Sequence, residues 1–227
     1  MSEIPTQRMV TAREVREHPT ALAYINGANA NLRLLGYTEH GMRHVGRVSS
    51  WAYEVLHELG YAERDCELAA IAGLLHDIGN VINRQQHGQI GALLARDILT
   101  ELGMDVTELV VVMGAIGNHE EERGHAVSAV AAALILADKA DVHRSRVQEP
   151  DPSKHDIHDR VNLAATDAKL RVEQASRRIV LELAIDSAMA SVMDYFGIFL
   201  SRMVMCRQAA AFLGCRFGLV INGTVLE

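Results

Sequence analysis

Leu68-Ala69-Ala70-Ile71-Ala72-Gly73-Leu74-Leu75-His76-Asp77-Ile78-Gly79-Asn80 is an apolar run that stops on a His-Asp pair and a glycine. Leu68, Ile71, Leu74 and Leu75 recur at helical spacing. Asp65 stands where a cap belongs, and Gly79 breaks the pattern. A buried helix therefore delivers His76 and Asp77 to its own end, where side chains can converge without filling a core. A neutral imidazole donates nitrogen to a borderline metal, and a carboxylate can bridge two metals.

Outward from this pair, further ligand-type residues recur at helix ends. Upstream, Val45, Val48, Ala52, Val55, Leu56 and Leu59 predict a helix stopping at Gly60; it carries His44, with His40 on the same face. Downstream, a helix starts near His87 and runs through Ile90, Leu93, Leu94, Ile98 and Leu102, with Gly103 after it. Asp105 caps the next helix, with Glu108 at the capping-box position. Its apolar run Leu109 to Met113 reads as deeply buried, and beyond Ile116 follows Gly117-Asn118-His119-Glu120-Glu121. A fifth helix spans about Ala126 to Asp141 and carries Asp138, a carboxylate on an otherwise apolar surface, costly there unless paired or metal-bound. Four helices besides the one that ends in His76-Asp77 thus each present a ligand-type residue at an end or in an apolar setting. His57, His143, His155 and His158 lack such a context and read as hydrogen-bonded or surface histidines. The group His155, Asp156, His158 and Asp159 sits in a loop, where any metal it held would be adventitious.

Residues 11–147 read as the helical domain. Gln148 to Asp159, with Pro150 and Pro152, reads as a linker. Residues 160–227 change period. Lys169–Glu173 and Arg178–Leu183 alternate about a turn at Gln174-Ala175-Ser176, predicting a β-hairpin. A long helix over about Ser187 to Leu213 follows, then a short strand, Cys215 to Ile221. The fold class is mainly α, a helical bundle with a small C-terminal α+β appendage. Met189, Met193, Met203 and Met205 on the long helix suit a core or a dimer face, so a homodimer through the C-terminal segment is an expectation.

Of the 227 residues, 49% are hydrophobic, 22% charged and only 4% aromatic, which suits packed aliphatic helices. The formal net charge of −7 argues against a protein that tracks a nucleic-acid polymer, which needs clustered cations. Three cysteines without a CxxC pair suit a reducing compartment. The opening residues MSEIPTQRMV hold no signal-peptide core, and Asp194 and Arg202 interrupt the longest apolar stretch. The expectation is a cytoplasmic protein that does not enter a membrane.

His44, His76-Asp77-Ile78-Gly79 and Asp138 resemble the H…HD…D pattern of the HD-domain metal-dependent phosphohydrolases, in its HDIG form. His87-Gly88-Gln89-Ile90-Gly91-Ala92 and Asn118-His119-Glu120 resemble the two extra histidine stations of binuclear members, such as HD-GYP phosphodiesterases and HD-type diadenosine tetraphosphate hydrolases. The resemblance covers about residues 25 to 145. It implies an HD-domain helical bundle in which His44, His76, Asp77 and Asp138 hold one metal, with Asp77 bridging to a second that His87 and His119 complete. The cofactors would be two divalent transition metals: iron, manganese, cobalt, nickel or zinc. His76 and Asp77 would form the catalytic centre, where a bridging hydroxide attacks phosphorus. Glu120 or Glu121 would orient His119, and His40, Asn118 and Glu120 are candidates for a third metal or for support around the ligands. The chain departs from HD-GYP proteins at Asn118 and Asn80 and has no GYP element, which speaks against cyclic-di-GMP. Arg84 is the foremost candidate for a substrate phosphate, followed by Lys139, Arg144 and Arg146.

The function implied is hydrolysis of a phosphoester or phosphoanhydride in a small molecule, a nucleotide foremost. The same ligand set also fits an HD-type di-iron oxygenase, and the fold a non-catalytic HD module that binds a nucleotide or a partner.

Overall fold

The computed structural model describes residues 9–121 and 124–226, so the reading of the first eight residues lies outside it. Thr11 opens the first helix with a capping box: its side chain accepts the Glu14 N–H, and Glu14 accepts the Thr11 N–H at 2.9 Å. That starts α1 (Ala12–Glu17), and Pro19, set for the first helical turn, starts α2 (Pro19–Leu34). In α3 (Met42–Glu58) the buried residues His44, Val45, Val48, Ser49, Ala52, Val55 and Leu56 lie on one face, and Gly60 ends it at φ +81°. Cys66 and every residue from Leu68 to Leu75 of α4 (Glu63–Leu75) are buried, which makes it a central helix. Ala62, not Asp65, occupies its cap position; Asp65 lies in the first turn, where its charge still suits the positive helix end.

Asp105 caps α6 (Val106–Gly117), following α5 (His87–Glu101), by accepting the Thr107 N–H at 2.8 Å. Glu108 closes no capping box there; it forms an ion pair with Arg64 at 2.5 Å instead. The second central helix, α7 (Ala129–Ala140), starts at Ser128, later than the apolar run suggests, because Ser128 accepts the Ala131 N–H. Everything from Val130 to Ala140 is buried.

Two glycines permit close backbone contact around α4. A Cβ on Gly73 would lie 2.7 Å from the Ser49 Cα of α3. Gly79 sits in a 3-10 turn, Ile78–Val81, where a Cβ would run into the His87 carbonyl and come 2.6 Å from the Gly91 nitrogen. The helix has already ended at Leu75, so Gly79 admits the start of α5 to the end of α4 rather than breaking a helix.

The segment Gln148 to Asp159 is not loop to its end. Asp156 accepts the Asp159 N–H at 2.9 Å and caps α8 (Ile157–Ala164). β1 (Ala165–Glu173) and β2 (Arg178–Ile185) then form the antiparallel hairpin, with Leu170 opposite Leu181. The connection to β3 (Arg216–Ile221) is α9 (Val192–Phe212), and β3 lies parallel to β2 with Leu181 beside Leu219, as a helical crossover permits. A fourth strand, β4 (Thr224–Val225), too short for any periodicity, completes the sheet in the order β1-β2-β3-β4. α9 begins at Ser191, in a capping box with Asp194, rather than at Ser187. Met203 and Met205 are buried, whereas Met189 and Met193 are exposed.

The fold is mainly helical, with nine α-helices among the described residues and a small C-terminal sheet. The buried residues of the C-terminal segment join those of the helices in one core, with α9 against α7. No helix among the described residues is long and apolar enough to cross a membrane.

Candidate metal centre

Six side chains meet at the ends of α3, α4, α5, α6 and α7: His44, His76, Asp77, His87, His119 and Asp138. Three overlapping groups among them place their donor atoms within 4.8 Å of one another: His44, His76 and Asp77; His76, His119 and Asp138; and Asp77, His87 and His119. All six are buried or nearly so.

Asp77 organises them by turning its two oxygens in different directions. Its Oδ2 lies 3.1 Å from His76 Nε2 and 3.5 Å from His44 Nε2, and Asp138 Oδ1 closes that group at 3.4 Å from His44 and 3.6 Å from His76. Its Oδ1 faces the other histidines, 3.3 Å from His87 Nε2 and 3.9 Å from His119 Nε2.

The tautomers follow from what lies behind each ring. His44 Nδ1 donates to Asp141 Oδ2 at 2.7 Å, His76 Nδ1 to the Gly73 carbonyl at 2.9 Å, and His119 Nδ1 to the Ile116 carbonyl at 2.7 Å. His87 Nδ1 faces the Arg84 carbonyl at 3.0 Å and Glu120 Oε1 at 2.8 Å. These oxygens only accept, so each neutral ring carries its proton on Nδ1 and turns a bare Nε2 inward. The bare nitrogens face each other at 3.3 Å (His44 and His76) and 3.1 Å (His87 and His119). Lone pairs that close repel unless a cation lies between them. Asp77 Oδ2 is likewise buried without a hydrogen-bond partner. Bonds of about 2.1 Å to a shared ion put tetrahedral or octahedral donors about 3.0 to 3.4 Å apart, close to the 3.1 to 3.9 Å between Asp77 and the four imidazoles. The residues fit a metal.

The charge balance agrees. Burial opposes ionisation of Asp77, yet His76, His40 and His44 hold its carboxyl well below the usual range. Burial also opposes that of Asp138, and Lys139, whose Nζ lies 2.7 Å away, with His44 and His76, keeps it low as well. Burial works against a proton on His76, but Asp77 and Asp138 raise it to about 10. Burial and the neighbouring imidazoles push His119 well below its ordinary value. The carboxylates thus call for positive charge in a place where His119 stays neutral; without an ion a proton on His76 meets part of that demand, and a divalent ion would take the proton's place.

Not every candidate reaches this cluster. His40 stands at its rim, its ring 5.4 Å from that of His44 and its Nδ1 on the Thr38 carbonyl. Asn118 turns back along α6, donating to the Gly114 carbonyl at 2.9 Å. Neither glutamate orients His119. Glu120 accepts from the Gly88 N–H at 2.7 Å as well as from His87, and Glu121 binds Arg202 and Ser201 of α9 at 2.7 and 2.9 Å. Of the basic candidates, Arg84 is half-buried beside the site, its Nη1 3.3 Å from both His87 nitrogens and its guanidinium 5.4 Å above the Tyr37 ring. Lys139 is committed to Asp138. Arg146 is buried and donates to the Asp141 and Glu39 carbonyls, and Arg144 is exposed and forms no ion pair among the described residues. His57 stacks on Tyr53, and His143, His155 and His158 hydrogen-bond locally, away from the cluster.

Two buried residues support the cluster in roles that the sequence reading did not give them. Asp141 backs His44 and is itself held by Arg43 at 2.7 Å. Asn80 donates to the Asp77 carbonyl at 2.9 Å and to its Oδ1 at 3.1 Å. The available signal was their spacing, each three residues beyond a candidate ligand near a helix end.

The HD domain family matches residues 41–158, just over half of the chain, and the chain belongs to this family of metal-dependent phosphohydrolases. Among curated relatives it is similar to Ribonuclease Y of Oceanobacillus iheyensis, 32% identical over 134 residues, covering 56% of this chain and 24% of that one. Ribonuclease Y of Lawsonia intracellularis is 31% identical over 140 residues, covering 57% and 25%. That of Mycoplasma mycoides is 28% identical over 163 residues, covering 70% and 36%. The chain therefore spans about a quarter to a third of the length of these relatives.

Proposed function

We propose that this chain hydrolyses a phosphoester or phosphoanhydride bond of a small phosphorylated molecule, a nucleotide, at a two-metal site. The observation that carries the reading is the division of Asp77, with Oδ2 toward His44 and His76 and Oδ1 toward His87 and His119. His44, His76, Asp77 and Asp138 would hold one divalent ion, and Asp77, His87 and His119 the other. Bound there, such ions lower the pKa of a coordinated water and polarise phosphoryl oxygens. The chain's own residues do the rest. Asp141, Gly73, Ile116 and Glu120 lock the four imidazoles in the tautomer that turns Nε2 inward. Arg84, held over the Tyr37 ring, offers a planar, always-charged fork at the rim for a phosphoryl oxygen.

A second reading, cleavage of an RNA phosphodiester, is favoured by the likeness to relatives named Ribonuclease Y. The net charge of −7 weighs against it, since affinity for an RNA backbone comes from clustered cations. Metal-loaded wild type and Asp77→Ala, each given a nucleotide panel and an oligoribonucleotide, separate the two. Turnover of a mononucleotide by wild type alone supports the small-molecule reading. Cleavage of the oligoribonucleotide without turnover of any nucleotide would replace it with the second.

A further inference from the structure

Asp138 divides its carboxylate between two tasks. Its Oδ1 faces His44 and His76 at 3.4 and 3.6 Å, whereas its Oδ2 accepts from Lys139 Nζ at 2.7 Å. Lys139 is buried, and an ammonium out of water needs anionic partners. Among the described residues its ion-pair partners are Asp138 and Glu121, the latter at 3.8 Å. Glu121 follows α6, and α9 already engages both of its oxygens: Oε1 accepts from Arg202 Nε at 2.7 Å and Oε2 from Ser201 Oγ at 2.9 Å. Arg202 is held in turn, its guanidinium 4.4 Å from the ring centre of the buried Phe199. Charges of alternating sign, Arg202, Glu121, Lys139 and Asp138, thus run from α9 to the metal centre. α9 lies beyond residues 41–158, which carry the family match.

We propose that Lys139 is a positioning residue for Asp138, and that Arg202 of α9, acting through Glu121, sets how firmly Lys139 holds that carboxylate. Neighbours along such a chain compete. Arg202 and Ser201 satisfy Glu121, so Glu121 pulls weakly on Lys139, and Lys139 settles on Asp138 Oδ2. Asp138 then offers a metal one oxygen, Oδ1. Loss of Arg202 frees Glu121 to draw Lys139 away from Asp138. Loss of the Glu121 charge leaves Lys139 with Asp138 alone. Attraction between charges strengthens as they approach and as water is excluded, so a small shift of a buried ammonium matters. The two substitutions therefore push metal affinity in opposite directions, although both break the same chain. The inference rests on the reading of the cluster as a metal centre, and adds to it a C-terminal helix that tunes one ligand.

The test is the cobalt(II) affinity of the full chain, measured by competition with a chelator. Glu121→Gln is expected to weaken cobalt binding by about tenfold, Arg202→Met to tighten it, and Arg202→Lys to stay near wild type. Glu121 and Arg202 are half-buried and each replacement keeps the shape, and matching melting curves verify the fold. Mere loss of structure weakens binding in every variant and cannot produce opposite signs. In a Lys139→Met background both substitutions should lose their effect, whereas charges acting through space rather than through Lys139 would still be felt there. Unchanged affinity in Glu121→Gln, binding no tighter than wild type in Arg202→Met, or undiminished shifts in the Lys139→Met background would each overturn the inference. Asp77→Ala, measured alongside, tells this failure from failure of the metal-centre reading. It loses cobalt if that reading is right, whatever α9 does, and its retention of cobalt at wild-type affinity would overturn both.

Discussion

The Nδ1–H of His44 donates to Asp141 Oδ2 over 2.7 Å, with both side chains wholly buried, and this bond sets which nitrogen His44 turns toward Asp77 and Asp138. Asp141→Asn keeps the shape but loses the charge, and metal affinity should fall by about 10- to 100-fold. Metal titration against a competing chelator measures it.

The same carboxylate shapes acid stability. Burial raises its proton affinity, but the hydrogen bond from His44 and the charge of Arg146 bring it below the ordinary carboxylate range. Above about pH 4 Asp141 is ionised in both folded and unfolded chains and its contribution is constant. Below that, the unfolded state takes up the proton first, so stability falls as the pH drops toward the folded value. Urea unfolding of the metal-free protein between pH 6 and 3 should show a shallower loss in Asp141→Asn than in wild type.

Because the proposed arrangement puts Asp77 on both ions and His119 on one, their removal should differ in stoichiometry. Metal analysis of the purified protein should find about two ions per chain in wild type, none in Asp77→Ala and about one in His119→Ala. Equal retention in wild type and Asp77→Ala would contradict the shared-carboxylate arrangement.

Gly79→Ala forces a methyl group against the His87 carbonyl and the Gly91 nitrogen. Both obstacles are backbone and cannot swing aside, so α5 must shift. A loss of about 2 to 3 kcal/mol in urea unfolding is expected, together with a loss of metal, since His87 opens α5.

Arg84→Ala should lower kcat/KM for a phosphorylated substrate by about 10- to 100-fold, the worth of a charge-assisted hydrogen bond or two. Arg84→Lys should recover only part, because an ammonium lacks the planar fork. Steady-state kinetics on both variants decides this. An unaffected Arg84→Ala would make Arg84 a support for His87 rather than a substrate contact.

Much of the centre was legible because its residues contradict their surroundings. His76 and Asp77 end a helix apolar on every side, and Asp138 interrupts another. Glu120 was noticed for its place beside His119 but serves His87, since helix direction, not sequence adjacency, decides which ring a carboxylate reaches. Asp141 passed unnoticed, and Asn80 drew notice only as a departure from HD-GYP proteins, because a polar residue at a helix end normally faces water and nothing in the local pattern says otherwise. The helix starts at Ser128 and Ser191 were misplaced, and the helix capped by Asp156 was missed, for a related reason: hydrophobic periodicity does not mark the turn where a side-chain cap takes the first free N–H.

Taken alone, the sequence determined six of the helices, α3 to α7 and α9, with their order, the hairpin and the six ligand-type residues, because hydrophobic period and residue chemistry are local properties of a chain. Only the tertiary structure decided that Oδ1 and Oδ2 of Asp77 face different histidine pairs, that each imidazole is backed by an acceptor, and that Arg202 of α9 reaches Glu121 beside Lys139. Those relationships depend on the packing of helices and helix ends, which is set by long-range burial and backbone contact.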